Sequence, residues 1–371
     1  MTMLAEDFMQ RALDLARQAE GRTRPNPPVG AVVVRDGAIV GEGFHPRAGD
    51  PHAEIFALQA AGPLARGADL YVTLEPCSHT GRTGPCAEAV VAAGIARVFI
   101  GSGDPNPLVS GRGINHLRQA GIVVETNILA DQCRRLIAPF AKHVTTGLPL
   151  VILKSALTLD GCSATVTGDS CWISGPESRA MVHHLRNRVD GIMVGIGTVL
   201  QDDPRLTCRL PDGGGRDPLR VIVDSRLQIP ETAAVISPAL AKGTVVATTA
   251  AAPEEKLQRL QQQGVTILFC DSREGRVDLG DLLQKLGAQG LQSLLVEGGG
   301  VLNQSLLGAG LVDRVMVFIA PKLLGGNDGR RMFSGPGVRA LADAVTVRDV
   351  RVSFYGKDIL IEGEVGACLP G

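Results

Sequence analysis

His52, Glu54, Cys77 and Cys86 are the residues whose types and spacing carry the sharpest chemistry in this sequence. His52 and Glu54 flank Ala53, and each cysteine follows a proline, Pro76 and Pro85. One histidine and two cysteines supply three zinc ligands and leave a fourth position for water, as a catalytic zinc site requires. Zinc brings the pKa of such a water to about 7. Glu54 is not needed as a ligand and can carry the water's proton to a leaving group. A lone His-Ala-Glu would mean little. Its coincidence with a Pro-Cys after a buried strand and a Pro-Cys opening a helix argues for one site. A closed structural zinc site would need a fourth ligand such as His79 and would leave Glu54 without a task.

The order His-x-Glu, then Pro-Cys, then a second Cys is the pattern of zinc enzymes that hydrolyse an amino group from a base. Here the eight residues Ser78 to Pro85 separate the two cysteines, a longer loop than the short form of that pattern. The second half offers a different set. Leu294 to Leu302 reads as strand, glycine turn (Gly298, Gly299, Gly300), then a helix from about Leu302 to Ala309. Glycines in such a turn let backbone N–H groups approach a phosphate. The run is not the Gly-x-Gly-x-x-Gly dinucleotide fingerprint and alone reads as a tight strand-to-helix turn. Lys154 and Glu297 stand at the ends of apolar strands, where active-site residues of α/β sheets tend to lie, although polar residues also surface there. Arg186 and Arg209 suit a sugar phosphate, because guanidinium pairs bidentately with its oxygens; either could instead be a solvated charge. Trp172 is as consistent with a core anchor as with a ligand contact. His183 and His184 fall mid-helix without matching ligand partners and read as non-catalytic.

The elements that must position these residues follow from periodicity. Leu4 to Ala19 predicts an amphipathic helix stopped by Gly21. Val29 to Val34 and Ala38 to Gly41 flank Asp36-Gly37, a hairpin signal. A helix opens at Pro51 to Glu54 and runs to about Ala61. Leu70 to Leu74 is a buried strand, Pro85-Cys86 opens a helix capped by Gly94, and Val98 to Gly101, Gly113 to Ala120 and Ile122 to Glu125 give strand, helix, strand. The pattern restarts near Thr145 to Pro149, placing domains at 1–146 and 147–371. In the second half strands are expected at Leu150 to Lys154, Gly191 to Val194, Leu219 to Val223, Gly243 to Thr248, Val265 to Phe269 and Ser293 to Val296. Helices are expected at Glu177 to Arg188 and Glu254 to Gln263, with a β-rich end from Val315 to Ile361. Alternating strands and helices imply an α/β fold.

Composition narrows the function classes. The chain has 371 residues with 37 Lys+Arg against 38 Asp+Glu, a net charge of −1. That balance argues against non-specific binding to nucleic acid or an anionic membrane. Aromatics at 3% make base-stacking platforms unlikely partners for single strands. The eight cysteines are scattered, unlike a secreted disulfide framework. No apolar run reaches membrane-spanning length, and the start lacks a signal pattern, so a cytoplasmic enzyme of a small molecule is expected. Two other readings stand beside it: a nucleic-acid or nucleoside deaminase with an accessory domain, and an inactive zinc-binding scaffold. Intact Glu54 counts against the scaffold.

The segments Pro25 to Gly30, Gly49 to Glu54, Thr73 to Cys86 and Asp104 to Gly113 resemble the RibD family of bifunctional riboflavin-biosynthesis deaminase–reductases. Lys154 to Gly161, Gly168 to Ser174, Gly195 to Leu210 and Ala320 to Gly326 extend the resemblance to essentially the whole chain. It implies a cytidine-deaminase-like three-layer α/β/α domain followed by a dihydrofolate-reductase-like α/β domain. It implies zinc and NADPH as cofactors, a homo-oligomer, and a diaminopyrimidinone substrate carrying a phosphoribosylamino group. That substrate would be deaminated, and its ribosyl group then reduced to a ribityl chain. By the same resemblance His52, Cys77 and Cys86 hold the metal, and Glu54, Lys154 and Glu297 are catalytic. Asn26, His45, Ala53, His79, Arg82, Asp104 and Asn106 would bind substrate in the first domain, and Ser170, Arg186, Leu206, Arg209 and Glu297 in the second. Ala156, Trp172, Thr198, Asp202, Ser225 and the run Gly299, Gly300, Val301, Leu302, Asn303, Gln304, Ser305 would bind the cofactor. The sequence departs from the family at Gly84, where Pro is usual, and at Cys162, where Lys or Arg is frequent.

Overall fold

The computed structural model describes residues 4–78, 84–107 and 109–366. The chain divides into two compact units, Met1–Gly147 and Leu148–Gly371. Among the described residues, no helix is long and apolar enough to cross a membrane.

The first unit runs α1 (Ala5–Arg17), β1 (Gly30–Arg35), β2 (Ala38–Phe44), α2 (Ala53–Ala61), β3 (Asp69–Leu74), α3 (Cys86–Ala92), β4 (Arg97–Ser102), α4 (Arg112–Gln119), β5 (Val123–Thr126) and α5 (Ala130–Thr146). Its sheet has the order β2-β1-β3-β4-β5. The β1–β2 turn places Asp36 and Gly37 at φ of 51° and 77°, the left-handed pair that a tight hairpin needs. Strand β3 pairs antiparallel with β1 and parallel with β4, and β5 pairs parallel with β4. Alternate residues of the central strands face opposite layers, as strand geometry dictates. Ala31, Val33, Leu70, Val72, Val98 and Ile100 pack with residues of α2, α3 and α4. Val32, Val34, Tyr71 and Phe99 pack with residues of α1 and α5. Three layers result. Helix α5 was not foreseen. Pro139 lies inside it, and an interior proline normally argues against a helix.

The second unit opens with β6 (Leu150–Thr158), β7 (Cys162–Ala164), α6 (Pro176–Arg188), β8 (Gly191–Gly195), α7 (Ile196–Asp202) and β9 (Leu219–Val223). There follow β10 (Thr244–Thr248), α8 (Glu254–Gln262), β11 (Thr266–Phe269), the short β12 (Ser272–Arg273) and β13 (Arg276–Val277), α9 (Leu279–Ala288), β14 (Ser293–Val296) and α10 (Gly300–Gly308). It closes with β15 (Arg314–Ala320), β16 (Arg330–Arg331), β17 (Val347–Tyr355) and β18 (Asp358–Val365). The main sheet has nine strands in the order β11-β10-β9-β8-β14-β6-β15-β18-β17. Its strands are parallel through β15, and the last two are antiparallel. Leu282, Leu283, Leu286 and Leu306 pack on Val151, Leu153, Met193 and Leu294 to cover one face. The tail is β-rich as expected, but residues 332–346 carry only one short helical turn. Both units are α/β.

Candidate active sites

In the first unit, three chain ends converge. Strand β3 stops at Leu74 and hands over to Glu75, Pro76 and Cys77; proline offers no N–H to extend a ladder. His52 is the N-cap of α2, and Cys86 is the first residue of α3, after Pro85. Their donor atoms all lie within 4.8 Å of one another. His52 Nδ1 stands 3.2 Å from Cys86 Sγ and 3.6 Å from Cys77 Sγ. Zinc held tetrahedrally by nitrogen and sulfur needs such donors about 3.5 Å apart, so the residues fit the ion. The Cys86 backbone N–H donates to Cys77 Sγ at 3.4 Å. The Cys86 thiol donates to Cys77 as well, and with His52 and that N–H it holds Cys77 down to about 4. The same partnership, with burial, raises Cys86.

Glu54, in the first turn of α2, is 3% exposed. Burial pushes its carboxyl up to about 7, where a carboxyl both takes and gives protons at neutral pH. Glu54 lines a cavity of about 520 Å³ with His52, Cys77, Asn26, His45, Asp104 and Asn106. His45 is buried, and its Nδ1 is 3.0 Å from the Pro51 carbonyl. A carbonyl only accepts, so Nδ1 carries the proton, and Nε2 is left to accept from Asn26 Nδ2 at 3.0 Å. Burial lowers the His45 pKa, which favours this neutral form. The Asn106 N–H donates to Asp104 Oδ1 at 2.8 Å. Ala53 does not line the cavity; it is fully buried among the α2-side core residues. His79 and Arg82 lie outside the described residues.

Phe140 and Glu75 also line this cavity, and the sequence reading gave neither a role. Phe140 reaches it from α5, the helix that Pro139 disguised. Glu75 is buried and accepts four backbone N–H groups, from Asp104, Gly111, Gly113 and Ile114. Its only signal was a carboxylate at the end of an otherwise apolar strand.

In the second unit, parallel pairing of β14 with β6 sets Val296 against Leu153. One residue further, Lys154 and Glu297 meet, with Nζ 3.5 Å from Oε2. Arg186 reaches in from α6 and grips Glu297 bidentately, Nε to Oε1 at 2.8 Å and Nη2 to Oε2 at 3.1 Å. Burial pushes the Glu297 carboxyl up, but the Arg186 and Lys154 charges outweigh it and hold it down at about 2. Arg186 also donates to the Thr207 carbonyl, and Arg209 donates to Thr207 Oγ1. The Arg209 N–H donates to His183 Nδ1 at 3.2 Å. Burial, with Arg186 and Arg209 nearby, lowers His183 to about 4. His183 therefore supports the arginine-bearing segment from one turn of α6 below Arg186.

Lys154, Ala156, Ser170, Trp172, Arg186, Asp202, Arg209 and Glu297 line one cavity of about 590 Å³, together with Arg179 and His183. Trp172 is no core anchor: it is 64% exposed, with the Arg179 guanidinium 4.9 Å from its ring centroid. The other cofactor candidates do not line this cavity. A Cβ on Gly299 would lie 3.7 Å from Thr198 Oγ1, which places Thr198 beside the glycine turn. Gly299 caps α10, Gly300 opens it, and the first-turn N–H groups of Gly300, Val301 and Leu302 are available to a phosphate. Leu302 and Asn303 turn their side chains into the core, Gln304 donates to the Pro336 carbonyl and Ser305 to the Val301 carbonyl. Asn303 Oδ1 is buried without a partner. Ser225 Oγ accepts from the Val277 N–H, and Leu206 is buried with φ of 53°. A glycine turn leading into an open helix N-terminus fits the phosphates of NADPH.

Comparison with known proteins completes the description. The RibD C-terminal domain profile matches residues 149–361, and the cytidine and deoxycytidylate deaminase zinc-binding region matches residues 3–102. The riboflavin biosynthesis protein RibD of Actinobacillus pleuropneumoniae is 44% identical over 97% of this chain and 95% of its own length. That of Escherichia coli is 41% identical over 97% and 99%. Among solved structures, Acinetobacter baumannii RibD is 39% identical, covers 98% of this chain and 99% of its own, and has a TM-score of 0.84. A diaminohydroxyphosphoribosylaminopyrimidine deaminase/5-amino-6-(5-phosphoribosylamino)uracil reductase from Thermotoga maritima is 38% identical with the same coverage and a TM-score of 0.84.

Proposed function

This chain belongs to the RibD family of bifunctional riboflavin-biosynthesis enzymes, with a zinc-binding deaminase domain and an NADPH-dependent reductase domain, and from that premise we propose its substrate and its residue roles. The first domain, residues 1–146, hydrolyses 2,5-diamino-6-(5-phosphoribosylamino)pyrimidin-4(3H)-one to 5-amino-6-(5-phosphoribosylamino)uracil and ammonia. The second, residues 147–371, reduces the ribosyl group of that product to a ribityl chain. The observation that carries the reading is a buried Glu54 in the same cavity as His52 and Cys77, whose donor atoms lie within 4.8 Å of each other and of Cys86 Sγ.

Zinc on His52, Cys77 and Cys86 supplies Lewis acidity toward water. Glu54 takes a proton from the attacking water and passes it to the departing amine. Asn26 and the neutral His45 hold the base, with Asp104 and Asn106 on the opposite loop. His79 and Arg82 complete the substrate set, and Ala53 contributes through its backbone.

In the second domain NADPH supplies the hydride that C1′ of the opened sugar accepts. Ring opening places a proton on the sugar oxygen, and Lys154 Nζ, ion-paired to Glu297, supplies it. Arg186 and Arg209 bind the phosphate, with Ser170 and Leu206 beside them. Ala156, Trp172, Thr198, Asp202, Ser225 and the turn from Gly299 to Ser305 seat the cofactor. The enzyme works in the cytoplasm as a homo-oligomer on this small molecule and on no nucleic acid. An exposed apolar edge strand, β17, supports self-association.

The deciding experiment incubates purified protein with the diaminopyrimidinone ribotide and NADPH, with and without a zinc chelator. Ammonia release sensitive to the chelator, followed by loss of NADPH absorbance, is the expected result. Bound zinc without ammonia release overturns the assigned substrate.

A further inference from the structure

We propose that Glu75 is a positioning residue of the deaminase, which locks the substrate-facing Asp104–Asn106 edge and the start of α4 to the metal-ligand segment. The proposal rests on the deaminase reading above. Glu75 is 4% exposed and sits immediately before Pro76 and Cys77. Its own N–H donates to the Ser102 carbonyl at 2.9 Å, tying the end of β3 to the end of β4. Its Oε2 accepts the N–H groups of Asp104 at 3.2 Å and Gly111 at 3.0 Å. Its Oε1 accepts those of Gly113 at 2.9 Å and Ile114 at 3.2 Å, in the first turn of α4. One carboxylate therefore pins both ends of the loop and the helix that follows.

The loop it pins carries Asp104 and Asn106, which line the metal cavity. A carboxylate buried in this way is retained only where its acceptors are filled, since a buried charge without partners is costly. A backbone loop rich in N–H donors is likewise held only by an acceptor with several lone pairs. Fit at the far end of the joint is tight: a Cβ on Gly113 would collide with the Pro76 carbonyl. The Glu75 carboxylate thus joins the Cys77 segment to the Asp104–Asn106 edge, beside the β3–β4 backbone pairing. That edge lines the cavity with Asn26 and His45, so Glu75 acts on how well substrate binds and not on how protons move.

The test is Glu75→Gln in the full-length zinc-loaded enzyme. The amide keeps the shape but turns an NH2 group toward two of the four donors. The deaminase KM is expected to rise about tenfold or more while kcat stays within about threefold. Zinc content and reductase activity on pre-deaminated substrate are expected to match wild type. An unchanged KM, a loss confined to kcat, or loss of zinc overturns the proposal. Glu75→Asp, which restores the charge, is expected to recover part of the binding. Hydrogen exchange of the wild-type enzyme gives a second readout that needs no variant. The amides of Asp104, Gly111, Gly113 and Ile114 are expected to be protected, and exchange at open-loop rates overturns the proposal. Wild-type enzyme that releases no ammonia would sink the substrate assignment instead, while the exchange result would still decide the role of Glu75.

Discussion

Glu54 and Glu297 are the same residue type in two buried settings, and their neighbours send them in opposite directions. Glu54 has no guanidinium or ammonium among the groups that shift it, and burial raises it to about 7. Glu297 has Arg186 and Lys154, and sits at about 2. The difference suits a proton carrier in one site and a fixed anion in the other. Glu54→Ala is expected to cut deamination by a factor of about 10² to 10⁴, with zinc still bound and the reductase intact; zinc analysis and ammonia assay check this. For Glu297 the folded value lies below the ordinary 4.5, so its stabilisation is fully present above that pH and is lost as pH falls toward 2. Wild-type protein is therefore expected to lose on the order of 3 kcal/mol more stability over that window than Glu297→Gln, measured by urea unfolding. His183 was set aside in the sequence for lack of ligand partners, yet it supports Arg209 through the backbone N–H of that residue. His183→Ala is expected to raise the reductase KM several-fold with the deaminase unchanged, by steady-state kinetics.

At the scale of elements, the first site is made by element ends and the second by one strand end against a strand interior. The carboxyl end of β3 and the starts of α2 and α3 bring three candidate ligands together that lie up to 34 residues apart in sequence. Glu297, just past the carboxyl end of β14, meets Lys154 in the middle of the adjacent parallel strand β6, which runs on to Thr158 beyond the expected stop at Lys154. Helix α2 can seat His52 and Glu54 only because it lies close on β2. A Cβ at Gly43 would stand 2.6 Å from the Ala53 carbonyl and 2.5 Å from Phe56 Cβ. Gly43→Ala is expected to cost about 1–3 kcal/mol in thermal or urea unfolding and to lower deamination more than zinc binding. Most helices and strands were legible because their apolar periodicity and stop residues agreed. Helices α5, α7 and α9 were not read. Pro139 masks α5, and α7 has only seven residues, too few for a clear period.

For the whole molecule, the two units each hold their own cavity. At the edge of the second unit's sheet, β17 exposes Val350, Val352 and Phe354, a row that an isolated chain would leave in water. The proposed self-association through this edge predicts that Val352→Lys moves the protein toward the single-chain mass in sedimentation, with the zinc content of the first unit unchanged. The sequence by itself determined the α/β class and the deaminase–reductase family, and it singled out His52, Cys77, Cys86 and Glu54 as one candidate set. These depend on residue types at short spacing and on local periodicity, which survive in one dimension. Only tertiary structure decided that Glu75 pins four N–H groups, that Arg186 and Lys154 share Glu297, that Trp172 is exposed, and that Phe140 reaches the first cavity. Each of those depends on which distant backbone a side chain meets, and that meeting is set by sheet register and helix packing, which no local pattern records.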